Sequence, residues 1–152
     1  MMFSVKKIVR YSVLLVLAVS LNSCEKIFTN PKLDNFWKLD RIVYPSGYDF
    51  MGNACTEVRT DSIFYGFARD LVEVENHRIK FGSIGVMTDY GDSLKLDFSM
   101  YAQVQDFDVP KLLLALQSCG LGSLSSTYRI VRMDKRSLVL EDSKSRLEFV
   151  RW

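Results

Sequence analysis

Apolar and polar residues alternate along much of the chain after residue 35, which is the period expected of half-buried strands. The clearest example is residues 93–100 (SLKLDFSM), where apolar side chains fall at every second position behind a Tyr-Gly-Asp turn signal. A strand with one apolar and one polar face is typical of an antiparallel sheet that covers a core. The pattern therefore predicts a mainly β protein.

The first predicted strand covers residues 36–44 and places Trp37, Leu39 and Val43 on its buried face. Residues 48–60 have little periodicity and predict a long loop.

The middle of the chain is rich in aromatic and β-branched residues. Residues 62–75 (SIFYGFARDLVEVE) change phase near Arg69, which predicts one bent strand or two short strands joined by a bulge. Two further short strands are predicted at 78–81 and 84–89.

One amphipathic helix is predicted over residues 106–119, with Asp108 as its N-cap and Gly120 as its stop signal. Its buried stripe is predicted to be Leu112, Leu113, Leu116 and Cys119. After it, three strands joined by short turns are predicted at 127–133, 137–141 and 146–152. Three antiparallel strands with one apolar face need a second layer or closure on themselves, and a barrel satisfies this need.

The first 23 residues have the composition of an export signal. Lys6, Lys7 and Arg10 precede an apolar run of 11 residues at positions 11–21. That run is far shorter than the roughly 20 apolar residues that a membrane-spanning helix needs. We therefore expect residues 1–23 to be a cleaved signal peptide.

The segment Leu21-Asn22-Ser23-Cys24 resembles the lipobox of bacterial lipoprotein signal peptides. The resemblance implies that Cys24 becomes the lipidated N-terminus and that residues 24–35 tether the domain of residues 36–152 to a membrane. Two or three acyl chains exceed the two-signal requirement for stable anchoring. We expect a location in the cell envelope, foremost at the outer membrane, on its periplasmic or surface face.

The balance of charges argues against nucleic acid as a partner. Three of the 20 basic residues lie in the leader, so the mature chain carries 17 basic residues against 18 acidic ones. No basic stripe for nucleic acid is implied. With 48% apolar and 12% aromatic residues, the chain is also unlike disordered or collagen-like proteins.

Cys55 and Cys119 remain after the lipidated cysteine is set aside. An oxidising compartment permits a disulfide between them, and two buried free thiols are the alternative. The sequence leaves both interpretations open.

Three segments resemble the small lipocalin-like envelope lipoproteins of Gram-negative bacteria. They are the early FWKL with Trp37, the hairpin YGDSLKL, and the final IVRMDKRSLVL that closes on LEFVRW. The resemblance implies a lipocalin-like antiparallel β-barrel or half-barrel with one short helix. It also implies that Arg151 stacks on Trp37.

Residues suited to catalysis are few. His77 is the sole histidine, and Glu75 lies two positions before it, which makes a fragment of a metal site without a third ligand. We predict no catalytic residue, no metal and no cofactor. A hydrolase that uses His77 and an acid is the weakest of the hypotheses.

Aromatic residues are in surplus, and they supply the candidate ligand pocket: Phe64, Tyr65, Phe67, Phe98 and Tyr128. The leading hypothesis is a noncatalytic module that binds a small apolar ligand or an envelope protein at the barrel mouth. The alternative is a structural or assembly accessory whose aromatic residues fill a solid barrel and whose outer face docks on a larger envelope complex.

Overall fold

The computed structural model describes residues 30–100 and 108–152. The predicted signal peptide, Cys24, the tether up to residue 29 and the first two residues of the predicted helix lie outside these ranges.

The described chain contains nine strands and the helix α1 (Val109–Ser118). The strands are β1 (Asn35–Val43), β2 (Glu57–Arg59), β3 (Ile63–Ala68), β4 (Leu71–Asn76), β5 (Phe81–Asp89), β6 (Ser93–Asp97), β7 (Ser125–Met133), β8 (Ser137–Glu141) and β9 (Arg146–Arg151).

Eight of these strands form a closed antiparallel barrel. Each strand from β3 to β9 pairs with the next, and β1 pairs with β3 on one side and with β9 on the other. The short β2 pairs with the second half of β1, along the same edge of β1 that pairs with β3 in its first half. The prediction of a mainly β, lipocalin-like barrel with a short helix is confirmed, and the barrel is complete rather than half-open.

The predicted buried face of the first strand is wrong in its second half. The pairing of β1 with β9 shifts between Leu39 and Arg41, so Asp40 is an extra residue in a β-bulge. After the bulge the alternation changes phase, and Ile42 is buried instead of Val43.

Several predicted boundaries also differ from the structure, and in three segments the type of element differs as well. The predicted loop at 48–60 contains β2, because residues 57–59 pair with β1. The segment 62–75 is a hairpin of β3 and β4 that turns at Arg69, whose φ is 57°. The two short strands predicted at 78–81 and 84–89 are replaced by a turn at 77–80 and the single strand β5, which runs through Gly82.

Helix α1 covers one end of the barrel, here called the helix-capped end. Leu112 and Leu116 are buried on its inner side, as predicted, whereas Leu113 is only half-buried. The hydroxyl of Tyr65 donates a hydrogen bond of 2.8 Å to the carbonyl of Cys119 just after the helix.

The opposite end, where β1 begins, is closed by residues 30–34 and is called the N-terminal end. Leu33 has no exposed surface, although the sequence places it in the tether, and its carbonyl accepts a 2.9 Å hydrogen bond from the indole nitrogen of Trp37. The guanidinium of Arg151 lies 5.5 Å from the centre of the Trp37 ring. The stacking implied by the resemblance is therefore present.

Candidate functional site

Four of the five predicted pocket residues fill the barrel interior. Tyr65, Phe67, Phe98 and Tyr128 are each no more than 2% exposed, and the ring of Tyr65 packs 4.9 Å from that of Phe149. Burial raises the pKa of the Tyr65 hydroxyl well above its usual value. The linings of three surface cavities, of about 470, 180 and 440 Å³, do not include Tyr65, Phe98 or Tyr128.

Phe64 is not part of that interior, which corrects its predicted place in the pocket. Side chains alternate along β3, so Phe64 points outward between the buried Ile63 and Tyr65. The five predicted residues therefore do not surround one cavity.

A cavity of about 440 Å³ lies instead on the outer wall at the N-terminal end, and we call it the outer groove. It crosses β1, β3, β4 and β5, and apolar side chains form most of its surface. Its lining residues are Asp34, Asn35, Phe36, Gly66, Phe67, Ala68, Leu71, Val72, Glu73 and Ile84.

The register of the sheet produces this groove. Phe36 pairs with Gly66, which pairs with Glu73, which pairs with Ile84, so one outward-facing row runs across four strands. A Cβ atom on Gly66 would lie 2.9 Å from Cε1 of Phe36. The missing side chain therefore lets the Phe36 ring lie against the β3 backbone.

Two large apolar side chains are exposed side by side in the groove. Phe36 is 51% exposed and Leu71 is 48% exposed. Exposed apolar patches of this kind mark binding or interaction sites. In the sequence, this groove is signalled by large apolar residues at outward positions of neighbouring strands, namely Phe36, Leu71 and Ile84. This signal is distinct from the surplus of aromatic residues, which predicted a pocket at the barrel mouth.

Next to the groove lies an outer aromatic cluster of Phe64, His77 and Trp152. The Phe64 ring centre is 5.0 Å from that of Trp152 and 4.9 Å from that of His77. The backbone nitrogen of Trp152 donates to the carbonyl of Phe36, which connects the cluster to the groove.

The predicted fragment around His77 is present but exposed. Nε2 of His77 lies 2.8 Å from a carboxylate oxygen of Glu75, and both side chains are largely open to solvent. Within the described ranges, no group of three or more His, Cys, Asp or Glu side chains is arranged to hold a metal ion.

A second cavity, of about 470 Å³, is a polar cleft lined by four serines, by Gly122 and Thr127, and by four charged residues, Arg129, Glu141, Asp142 and Lys144. Glu141 is paired with Arg129 and Arg146. Asp142 accepts backbone hydrogen bonds from residues 144 and 145. These carboxylates are thus occupied in ion pairs and in a turn.

Cys55 and Cys119 are free thiols in the structure, so the candidate disulfide is not formed there. Each sulfur has its own surroundings: Sγ of Cys55 lies 3.6 Å from the carbonyl of Glu57, and Sγ of Cys119 lies 3.9 Å from the hydroxyl of Ser118. Burial raises the pKa of the Cys119 thiol to about 11.

No helix within residues 30–100 and 108–152 combines the length and apolar character needed to cross a bilayer.

The chain is similar to one protein family and to two crystal structures. The sequence model of a lipocalin-like domain family matches residues 16–152. A crystal structure of a lipocalin-like protein from Bacteroides uniformis superposes with a TM-score of 0.57 at 18% identity, covering 80% of this chain and 99% of the other. A crystal structure of an uncharacterized protein from Bacteroides eggerthii gives a TM-score of 0.57 at 15% identity, covering 79% and 99%. At these identities the likeness concerns the fold. No curated protein matches the sequence.

Proposed function

Because the chain belongs to the lipocalin-like domain family, which is typically a binding fold rather than a catalytic one, we propose that it is a noncatalytic binding module of the bacterial cell envelope. In this proposal Cys24 carries the lipid anchor, and the outer groove binds a small apolar ligand.

The observation that carries this proposal is the outer groove itself. Its volume lies within the range of about 300–1,000 Å³ common to small-molecule sites. The groove is largely apolar, with polar groups at Asp34, Asn35 and Glu73, and such a composition suits recognition of an apolar body with a polar end. The aromatic residues of the barrel interior, by contrast, contribute stability.

Support for the anchor comes from the sequence. A basic segment, a short apolar run and the lipobox-like Leu21-Asn22-Ser23-Cys24 follow one another in the order of a lipoprotein leader. We propose that the barrel is held at the outer membrane, on its periplasmic or surface face.

Photo-crosslinking in intact cells tests the groove. A photoreactive phenylalanine analogue in place of Leu71 is expected to capture a small molecule, detected as a mass increase of the purified protein. The same analogue in place of Tyr48, which is 58% exposed and lies at the helix-capped end, is the matched control. Equal capture at both positions, or none at either, would contradict the proposal.

A second candidate function is supported by the outer aromatic cluster. Trp152 is 72% exposed beside Phe64, and a solid barrel with exposed aromatic residues suits an accessory that docks on a larger envelope complex. Under this alternative, the analogue placed at Leu71 or Trp152 would form a discrete protein adduct that the analogue at Tyr48 does not form.

A further inference from the structure

We propose that the outer groove binds a phospholipid of the anchoring membrane, with an acyl chain along the groove and a primary ammonium head group at Asp34. This inference rests on the membrane anchoring proposed above. It specifies the chemistry of the groove's ligand, which the family match leaves open.

The apolar part of the groove suits a hydrocarbon chain. Phe36, Leu71 and Ile84 lie along an extended depression rather than in an enclosed cavity, and the Phe36 ring lies against the β3 backbone at Gly66. Burying each methylene of a lipid chain contributes about 0.8 kcal/mol. A chain lying in the groove would also cover the exposed surface of Phe36 and Leu71.

The polar part of the groove indicates the charge of the head group. Oδ1 of Asp34 is buried and has no hydrogen-bond partner among the described residues. A buried polar atom is normally paired, and an ionised carboxylate only accepts hydrogen bonds. Glu73 adds a second carboxylate to the groove, in the row between Gly66 and Ile84. A positively charged head group that donates hydrogen bonds complements the Asp34 carboxylate, whereas one with only anionic oxygens does not.

The length of the chain before Asn30 brings the groove to the membrane. Asn30 is hydrogen-bonded to Asp89 at 3.0 Å, and five residues separate it from Cys24. A fully extended segment from Cys24 to Asn30 would reach at most about 20 Å. The N-terminal end of the barrel, where Asp34 and the groove lie, is therefore held close to the lipids. Trp152, near the same end, is a residue type enriched at membrane interfaces.

Fluorescence quenching by brominated lipid tests this proposal on the processed, lipidated protein in proteoliposomes. The reporter variant carries Leu71→Trp and Trp152→Phe, and the control variant carries Tyr48→Trp and Trp152→Phe. Trp37 remains in both as a buried background that lipid cannot reach.

Phosphatidylethanolamine with brominated acyl chains is expected to quench the Leu71→Trp reporter severalfold more than the Tyr48→Trp control. Phosphatidylcholine with the same chains has no N–H donors, and it is expected to quench the reporter less. Adding Asp34→Asn, which keeps the shape of the side chain but removes its charge, is expected to abolish this preference between the two lipids.

Five results would overturn the inference. Equal quenching of reporter and control would show unselective contact with lipid. A reporter whose emission shifts to shorter wavelength without quenching would show that a second copy or another protein covers the groove. An unchanged lipid preference in Asp34→Asn would remove the head-group assignment. An unquenched reporter in protein that floats with the vesicles would refute the inference alone, whereas failure to float would remove the proposed anchoring as well.

Discussion

Trp37 in β1 connects the segment before β1 with the end of β9. Its indole nitrogen donates a hydrogen bond to the carbonyl of Leu33, its ring faces the guanidinium of Arg151, and none of its surface is exposed. Trp152, the other tryptophan, is largely exposed on the outer wall. The two residues therefore allow a direct comparison between a core tryptophan and a surface one.

We expect Trp37→Ala to destabilise the protein by about 3–5 kcal/mol, because the substitution leaves a large cavity in a packed core. Trp152→Ala should change the free energy of unfolding by less than about 0.5 kcal/mol, as is usual at exposed positions. Urea unfolding followed by circular dichroism measures both values. A loss under about 1 kcal/mol for Trp37→Ala would contradict its place in the core.

The two free cysteines differ in access. A thiol reagent is expected to label Cys55 in the folded protein and Cys119 only after unfolding, since Cys119 is fully buried at the end of the helix. Denatured protein should give the same labelling with and without prior reduction, and higher labelling after reduction would show that a disulfide forms.

Burial of Cys119 also has a pH consequence. Its pKa is raised to about 11, above the value of roughly 8.5 expected in the unfolded chain. The folded state therefore holds this proton more tightly, and its contribution to stability is present below the unfolded pKa and is lost as pH rises toward 11. We expect the free energy of unfolding to fall less with increasing pH above about pH 9 in Cys119→Ser, because the buried thiol is absent. Urea unfolding at a series of pH values measures this.

At the scale of elements, the helix and its exit turn determine how the barrel is closed. Gly120 follows α1 with a φ of 93°, and a Cβ atom there would lie 2.6 Å from a methyl carbon of Leu147. Both the left-handed backbone and the tight contact require glycine.

We therefore expect Gly120→Ala to destabilise the protein by about 2 kcal/mol or more, from backbone strain and overpacking together. Gly82→Ala is the matched control, because Gly82 lies in β5 without a positive φ, and a Cβ atom added there would have no neighbouring atom within 4 Å. Thermal unfolding of both variants measures the difference, and equal transition temperatures would contradict the role of Gly120.

At the scale of the whole molecule, closure of the barrel does not depend on the proposed attachment to a membrane. The pairing of β1 with β9 completes the barrel within the described chain. The proposed attachment depends on Cys24, which lies outside the described residues. A variant at this position should therefore change location without changing the barrel.

Cys24→Ala is expected to move the protein from the membrane pellet to the soluble fraction or to leave an uncleaved precursor, because the acyl chains are lost. Cell fractionation with immunoblotting measures this, and Cys55→Ala is the control that keeps the lipidated residue. An unchanged, detergent-requiring pellet fraction of normally processed protein would refute the anchor.

Local periodicity accounts for the features that follow from the sequence alone. These features are the alternation in β6 and β9, the burial of Leu112 and Leu116 in α1, and the glycine stop of the helix, because each depends on neighbouring residues. The alternation is interrupted in β7, where the register shifts between Ile130 and Arg132, and in β8, where Val139 is buried as well as its neighbours. The stacking of Arg151 on Trp37 came from a family resemblance, and it is present in the structure.

The remaining features arise only in the folded chain, because each depends on residues that are distant in sequence. The bulge at Asp40 arises from pairing with β9 and reverses the face of Ile42 and Val43. The outer groove joins residues from 34 to 84 through the register of four strands. Alternation along one strand states which side chains share a face, but the pairing of strands decides whether outward apolar residues lie apart or together as a site.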